Sequence, residues 1–435
     1  MPNVGLRAYL WNHQKDRQQR VSRELWLLNG ATYHAFRQYT SHVKDNGFPE
    51  QRRNSLAMDG RGLPRGRHPT LDTRLSLATQ GSMASRQGSG RSFTFAGMKH
   101  IFDQGVARAV VVRFGCNSSD LLAWAGIDGA VHIATLTEPP KVLHDLCQHK
   151  RPVCDIDWSP DNLLLASAAD DGGVCLWRAE DGALLRTFML GKGATCCKFL
   201  FGNANFLVVG TISGELHLLN SSTARTQECV KLAARGPHKD LGGVCCLAIS
   251  TDLIFVASTS GSILVYKVVM RMGMLQPLQA LFRTLPPSRK MAKHFEAASM
   301  VYSPYTCLAG GPALLVSLSS CHLCVLRVTE ATGVLEGIIK APVPRAARPI
   351  KATFCPTEDI TEPEYIAMGG EDTGVYVYDV SKPEARYTQQ VISSLQGHMA
   401  PVVDVSWSAD DMLLASCDCD GVVIVWIRQK QPKLM

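Results

Sequence analysis

From residue 93 onward, apolar positions fall in short runs of strand length separated by polar turns. Ala109–Phe114, Leu163–Ala168, Phe206–Gly210, Ile254–Ser258, Leu314–Leu318 and Val422–Trp426 are rich in aliphatic, β-branched and aromatic residues, and each predicts a strand. The turns supply a ruler. A Gly after Asp or Ser recurs at Gly129, Gly172, Gly214, Gly261 and Gly421, and the flanking strand pattern places degenerate copies at Cys321 and Thr373. The intervals are 43, 42, 47, 60, 52 and 48 residues, which predicts seven copies of one unit. Two copies align without a gap: HKRPVCDIDWSPDNLLLASAADDGGVCLW (149–177) and HMAPVVDVSWSADDMLLASCDCDGVVIVW (398–426) match at 15 of 29 positions.

A unit of this length supplies about four short strands, a sheet too small to stand alone in water with two apolar faces. Packed face to face around an axis, such sheets bury both faces and leave few open edges. The pattern therefore predicts an all-β, seven-bladed β-propeller over residues 93–430. The two longest intervals predict surface insertions, one at Met270–Lys293 with a basic RKMAK, the other at Pro356–Pro363 with Glu358, Asp359 and Glu362. After Trp426 come nine residues, IRQKQPKLM, too polar for a good outer strand. Phe93–Phe102 is the natural donor, so the two ends of the propeller are expected to share its last blade.

In the two best copies a polar set recurs at fixed spacing: His149, Ser167, Asp171 and Trp177, then His398, Ser416, Asp420 and Trp426. The set resembles that of the WD40 repeat family, whose His, Ser or Thr, Asp and Trp form a hydrogen-bonded relay across one blade. The chemistry suits such a relay. The indole N–H only donates, Ser donates and accepts, and the imidazole bridges the hydroxyl to a carboxylate. Each link contributes about 1 kcal/mol net, while orphaning a buried partner costs about 1–3 kcal/mol. Ser, His and Asp together also suggest a hydrolase. Here, however, the Ser is placed to bond a Trp on the next strand and the set occurs twice, so its expected role is structural.

The other copies depart from the pattern. Copy six keeps Asp372 but has Tyr378 for Trp, copy four has His238, Tyr266 and Ser260, copy one keeps Asp128, and copy three has Ser213-Gly214. Those blades are expected to rely on packing and to open more easily. FAGMKHIFDQ (95–104) and the segment 395–426, with weaker support from 352–356 and 369–380, resemble one branch of the WD40 family more closely than its general pattern. That resemblance implies a nuclear propeller without catalytic activity, and names no mechanism.

Charge divides the chain. Residues 1–92 carry 15 Lys and Arg against 6 Asp and Glu, whereas the rest holds 30 basic and 32 acidic side chains. Within the first segment, Arg52–Arg91 has eight Gly or Pro, five Ser and no sustained apolar period, which predicts a basic, largely disordered N-terminal arm over 1–92. Val21, Leu25, Leu28, Ala35, Tyr39 and Val43 mark one candidate helix ahead of it, interrupted at Asn29-Gly30. Arg52, Arg53, Arg61, Arg65 and Arg67 are suited to an import receptor or to nucleic-acid phosphates, the plainer alternative being a solvated tail.

The composition, 46% hydrophobic and 19% charged, is that of a soluble globular protein, and no apolar run reaches the roughly 18 residues a membrane helix needs. The first residues lack a secretory apolar core, so the 15 Cys are expected as reduced thiols. Cys321 and Cys324 have C-x-x-C spacing, but three apart on a strand they face opposite sides, unlike converging zinc ligands. Cys417, Cys419 and the pairs Cys196-Cys197 and Cys245-Cys246 read as structural. Gly191-Lys192-Gly193 lacks the Ser or Thr that a phosphate loop needs after Lys. Asp155, Asp157 and Asp404, at or near the ends of inner strands, are candidates for the rim of a central channel, facing a basic peptide or solvent. The expectation is an interaction scaffold with other proteins as partners. Its alternative is a chromatin or nucleic-acid factor acting through the arm. No catalytic residue, cofactor, metal ligand or membrane contact is expected.

Overall fold

The computed structural model describes residues 94–429, except 104–107, 224, 233–240, 270–273, 284–295, 307, 320–321, 344–347, 357–363 and 382–390. The arm with its five named arginines, the candidate helix, His238, Cys321 and most of both expected insertions lie outside the described residues. Those residues hold 28 strands, β1 to β28 in chain order, and no helix. The strands form seven four-stranded antiparallel sheets, which are the seven blades.

Blade one is β2 (Ala109–Phe114), β3 (Leu121–Gly126), β4 (Ala130–Thr135) and β5 (Lys141–Cys147). Blade two is β6 (Val153–Trp158), β7 (Leu164–Ala169), β8 (Gly173–Arg178) and β9 (Leu184–Met189). Blade three is β10 (Ala194–Leu200), β11 (Asn203–Thr211), β12 (Glu215–Asn220) and β13 (Arg225–Lys231). The next three begin on the inner strands β14 (Val244–Ile249), β18 (Ala297–Thr306) and β22 (Ala352–Phe354). One expectation is corrected here. Met270–Lys293 is not simply a surface loop, because Met274–Arg283 forms β17, the outer strand of blade four. The apolar LQALF text serves the fourth strand that the sheet requires.

Burial follows position in the blade. Inner strands such as β6 are buried along most of their length, whereas outer strands such as β5 alternate between exposed and covered residues. Apolar layers fill the spaces between neighbouring blades. Between blades one and two, Val111, Val131 and Ile133 meet Ile156, Trp158 and Leu165.

The ring closes on blade seven, which is β26 (Val402–Trp407), β27 (Leu413–Asp418), β28 (Val423–Gln429) and, as its outer strand, β1 (Thr94–Phe102). β1 runs antiparallel to β28 from Thr94 opposite Gln429 to Phe102 opposite Val423. Its Met98 is 1% exposed, and the Phe102 ring lies 5.0 Å from Trp124 of blade one. The strand thus belongs to blade seven by its hydrogen bonds and to the next interface by its side chains.

The glycine ruler has a backbone cause. Gly172, between β7 and β8, has φ +78° and donates to the Ala169 carbonyl at 3.0 Å, and a Cβ there would come within 2.8 Å of the Lys192 carbonyl oxygen. Blade six puts Thr373 in the equivalent left-handed place, at φ +70°, a conformation that costs a residue with a side chain about 1–2 kcal/mol.

Candidate functional site

Two features combine chemistry from separate strands: the braces inside blades two and seven, and the charged end of the channel. In blade two, His149 precedes β6, Ser167 lies on β7, Asp171 in the next turn and Trp177 on β8. Trp177 Nε1 donates to Ser167 Oγ at 2.9 Å, the hydroxyl lies 2.7 Å from His149 Nε2, and His149 Nδ1 is 3.4 Å from Asp171 Oδ1. Asp171 also accepts the Lys150 and Gly173 N–H groups. Burial pulls the His149 pKa below its ordinary value, against Asp171, so the ring is neutral and can pass a hydrogen bond from either nitrogen.

Blade seven repeats the geometry with one change. Trp426 Nε1 donates to Ser416 Oγ at 2.8 Å, which lies 2.7 Å from His398 Nε2. The carboxylate at His398 Nδ1 is that of Asp418, at 2.8 Å, where the sequence reading placed Asp420. Asp418 is the last residue of β27 and occupies the register of Ala169 in blade two. From there it reaches the imidazole and accepts the Asp420 and Val422 N–H groups at 2.9 and 3.0 Å. Asp420 instead sits exposed in the turn. Trp177 and Trp426 are 4% and 3% exposed, and Ser167 and Ser416 are fully buried, so neither hydroxyl is offered to a substrate.

The remaining blades use other means. In blade six the Tyr376 hydroxyl donates to Asp372. Blade four joins Ser258, Ser260 and Ser262 through their hydroxyls, with Tyr266 buried nearby in the sheet. Blade one sets Trp124 at the Ser position, stacked on His132 with centroids 5.2 Å apart. Cys196, Cys197, Cys246 and Cys417 lie outside any disulfide. Burial foremost, then Asp404, pushes Cys417 well above the usual thiol range, and burial does the same for Cys196, Cys197 and Cys246. Such thiols are poor nucleophiles.

The three candidate rim aspartates lie inside an ion network rather than in open water. Asp404 is 1% exposed, Asp155 is 7% exposed, and only Asp157 is half-buried. Arg113 Nη1 donates to Asp404 at 2.6 Å while its Nη2 lies 3.5 Å from Asp155. Lys198 Nζ donates to Asp157 at 2.6 Å and lies 3.8 Å from Asp155, and Lys351 Nζ is 3.4 Å from Asp404. Asp157 also accepts the Phe199 N–H at 2.9 Å. The ion pairs link neighbouring blades in ring order, six to seven, seven to one, one to two and two to three. Burial opposes ionisation of Asp155, yet Lys198, Arg113 and Lys351 hold its carboxyl below the ordinary range. Asp157 goes the other way, raised by burial despite Lys198. Burial likewise opposes charge on Lys198, which Asp155 and Asp157 outweigh, so it stays protonated.

Around this network opens a cavity of about 290 Å³ lined by Arg113, Lys198, Lys351 and Asp404 on one side and by Leu247–Ile249 and Met300–Tyr302 on the other. Every inner strand starts its blade and runs in the same sense, so the turns that follow these strands gather at one end. Phe201, 68% exposed, belongs to the cavity wall and to the β10–β11 turn, and Tyr305, 47% exposed, is the last residue but one of β18, three past Tyr302 of the wall. Arg113, Lys198, Lys351 and Phe201 escaped the sequence reading. A signal for two of them was present: an inner strand ends in a channel-facing residue followed by an aromatic, as in Arg113-Phe114, Asp157-Trp158, Lys198-Phe199, Thr353-Phe354 and Ser406-Trp407.

The family model described as "WD domain, G-beta repeat" matches residues 140–178 and 389–426, which take in the two braced copies. The chain carries WD40 repeats. Among curated proteins, the chain is 32% identical over 84 residues to Protein HIRA of Takifugu rubripes, covering 16% of this chain and 8% of that protein. Protein HIRA of Homo sapiens is matched to the same extent, 32% over 84 residues and 8% of its length. LEC14B protein of Lithospermum erythrorhizon is 35% identical over 77 residues, 18% of this chain and 15% of that one. The chain therefore spans under a fifth of each of these relatives, a likeness of repeats and not of whole proteins.

Proposed function

We propose that this chain is a non-catalytic interaction scaffold that docks partner proteins on the end of the propeller bearing Phe201 and the charged channel. The observation that carries this reading is the two-sided wall there, with cations and a carboxylate facing an apolar surface. An aromatic side chain left 68% exposed at its edge adds an anchor for a partner segment. WD40 repeats support a protein-binding role, and the buried hydroxyls of the Ser/His/Asp sets give no support to a hydrolase. The likeness of segments 95–104 and 395–426 to WD repeat-containing protein 13 and its relatives extends the reading to a nuclear scaffold, shared in part with the cytoplasm. A boundary near residue 92 separates the arm from the propeller in this reading.

A second reading rests on the surplus of basic side chains in residues 1–92. In it the chain is a chromatin or nucleic-acid factor whose arm supplies affinity. Quantitative affinity capture separates the two, using the full chain, its Phe201→Ser/Tyr305→Ser variant and a form lacking residues 1–92. The scaffold reading expects the double variant to lose specific protein partners at unchanged melting temperature. Partners retained by the double variant but lost with the arm, through binding that falls steeply with salt, would overturn it in favour of the second.

A further inference from the structure

On blade three the period of two in β12 places Glu215 and His217 on one face, and Cys229 of β13 stands directly across from His217 in the register. One donor atom of each residue lies within 4.8 Å of those of the other two. His217 Nε2 is 3.6 Å from Glu215 Oε2 and 3.8 Å from Cys229 Sγ. A tetrahedral cation with bonds of about 2.0–2.3 Å to N, O and S needs its donors ~3.3–3.6 Å apart, so the two separations from His217 are within a few tenths of an ångström of that geometry, and Glu215 and Cys229, within 4.8 Å of each other, close on the ion by at most about an ångström.

Equivalent positions in the neighbouring blades show ordinary pairing. In blade one His132 Nδ1 lies 2.7 Å from Asp145 Oδ1, a normal hydrogen bond, and in blade two Cys175 faces the Thr187 hydroxyl. In blade three the imidazole-to-carboxylate separation is too long for that. The His217 side chain is only 9% exposed, and its Nδ1 has no hydrogen-bond partner.

We propose that Glu215, His217 and Cys229 form a binding site for a borderline-soft divalent cation, with zinc as its representative and the fourth coordination position open to solvent. The open position follows from exposure, since Cys229 is exposed and Glu215 half-buried. The bound ion ties the outer strand of blade three to its neighbour. The sequence reading assigned no metal ligand because Cys229 stands twelve residues beyond His217, and only the strand register brings them together.

Cobalt(II), as a spectroscopic stand-in for zinc, should be titrated into the reduced full-length chain. The expected result is a thiolate-to-cobalt charge-transfer band with the ligand-field bands of four-coordinate cobalt, both displaced by zinc. Cys229→Ser should lose the charge-transfer band, and His217→Gln and Glu215→Gln should weaken binding by more than ~10-fold, the low end of what losing even an outer-shell partner costs. Cys147→Ser, which alters the exposed thiol of blade one, should bind like wild type. Zinc should raise the melting temperature of wild type and Cys147→Ser but not of Cys229→Ser. No band in wild type, a band that survives Cys229→Ser, or equal zinc shifts in all three proteins would overturn the proposal.

Discussion

At the residue scale, what matters is which side chain completes a buried chain of donors and acceptors. His398, Ser416 and Asp418 are 1%, 0% and 0% exposed, so each must find its partner inside the protein. Spacing alone pointed to Asp420, since blade two uses the turn residue Asp171. It could not show that a carboxylate two residues earlier, at the end of β27 where blade two has Ala169, would take over the imidazole. Asp418→Ala removes an imidazole partner and two backbone acceptor bonds at once, and should cost roughly 2–4 kcal/mol. Asp420→Ala should cost less than about 1 kcal/mol, as exposed turn substitutions generally do. Urea unfolding of the two variants decides between the carboxylates, and equal losses would restore the assignment made from spacing.

At the element scale, strands and turns were more legible than sites. Runs of β-branched and aromatic residues bounded by Asp-Gly turns placed most inner and middle strands within a few residues, because each blade must bury both faces of its sheet. β17 was missed since a long repeat interval carrying Pro286-Pro287 and the basic RKMAK read as an insertion. The charged network was missed for another reason. Arg113, Lys198 and Asp157 sit at one register position on different inner strands, and a side chain's direction into the channel emerges only once that register is known. The turn ruler also carries an energetic expectation. Thr373 adopts the left-handed conformation that glycine supplies at Gly172 and Gly421, with φ +70° against +78° and +87°. Thr373→Gly should therefore stabilise the protein by about 1 kcal/mol, less a few tenths for the freedom glycine gains when unfolded. A fall in denaturation midpoint would contradict that account of blade six.

At the scale of the whole molecule, the repeat explains the ring, and the ring explains why no single blade has to carry a complete brace. Blades two and seven hold the full hydroxyl–imidazole–carboxylate–indole set, while the others are secured by apolar layers against their neighbours. A closed ring has one seam, and here β1 bridges it through its ladder to β28 and through Phe102 on Trp124. A rigid ring in turn holds Phe201 and the charged channel in fixed relation, which a scaffold needs. The most direct test compares the melting temperatures of chains lacking residues 1–88 and 1–102. The first should melt close to the full chain. The second, deprived of its closing strand, should lose several kcal/mol and melt on the order of 10 °C lower, or fail to fold. Equal melting temperatures for the two truncations would contradict closure by β1, and with it the ring on which this reading of the protein depends.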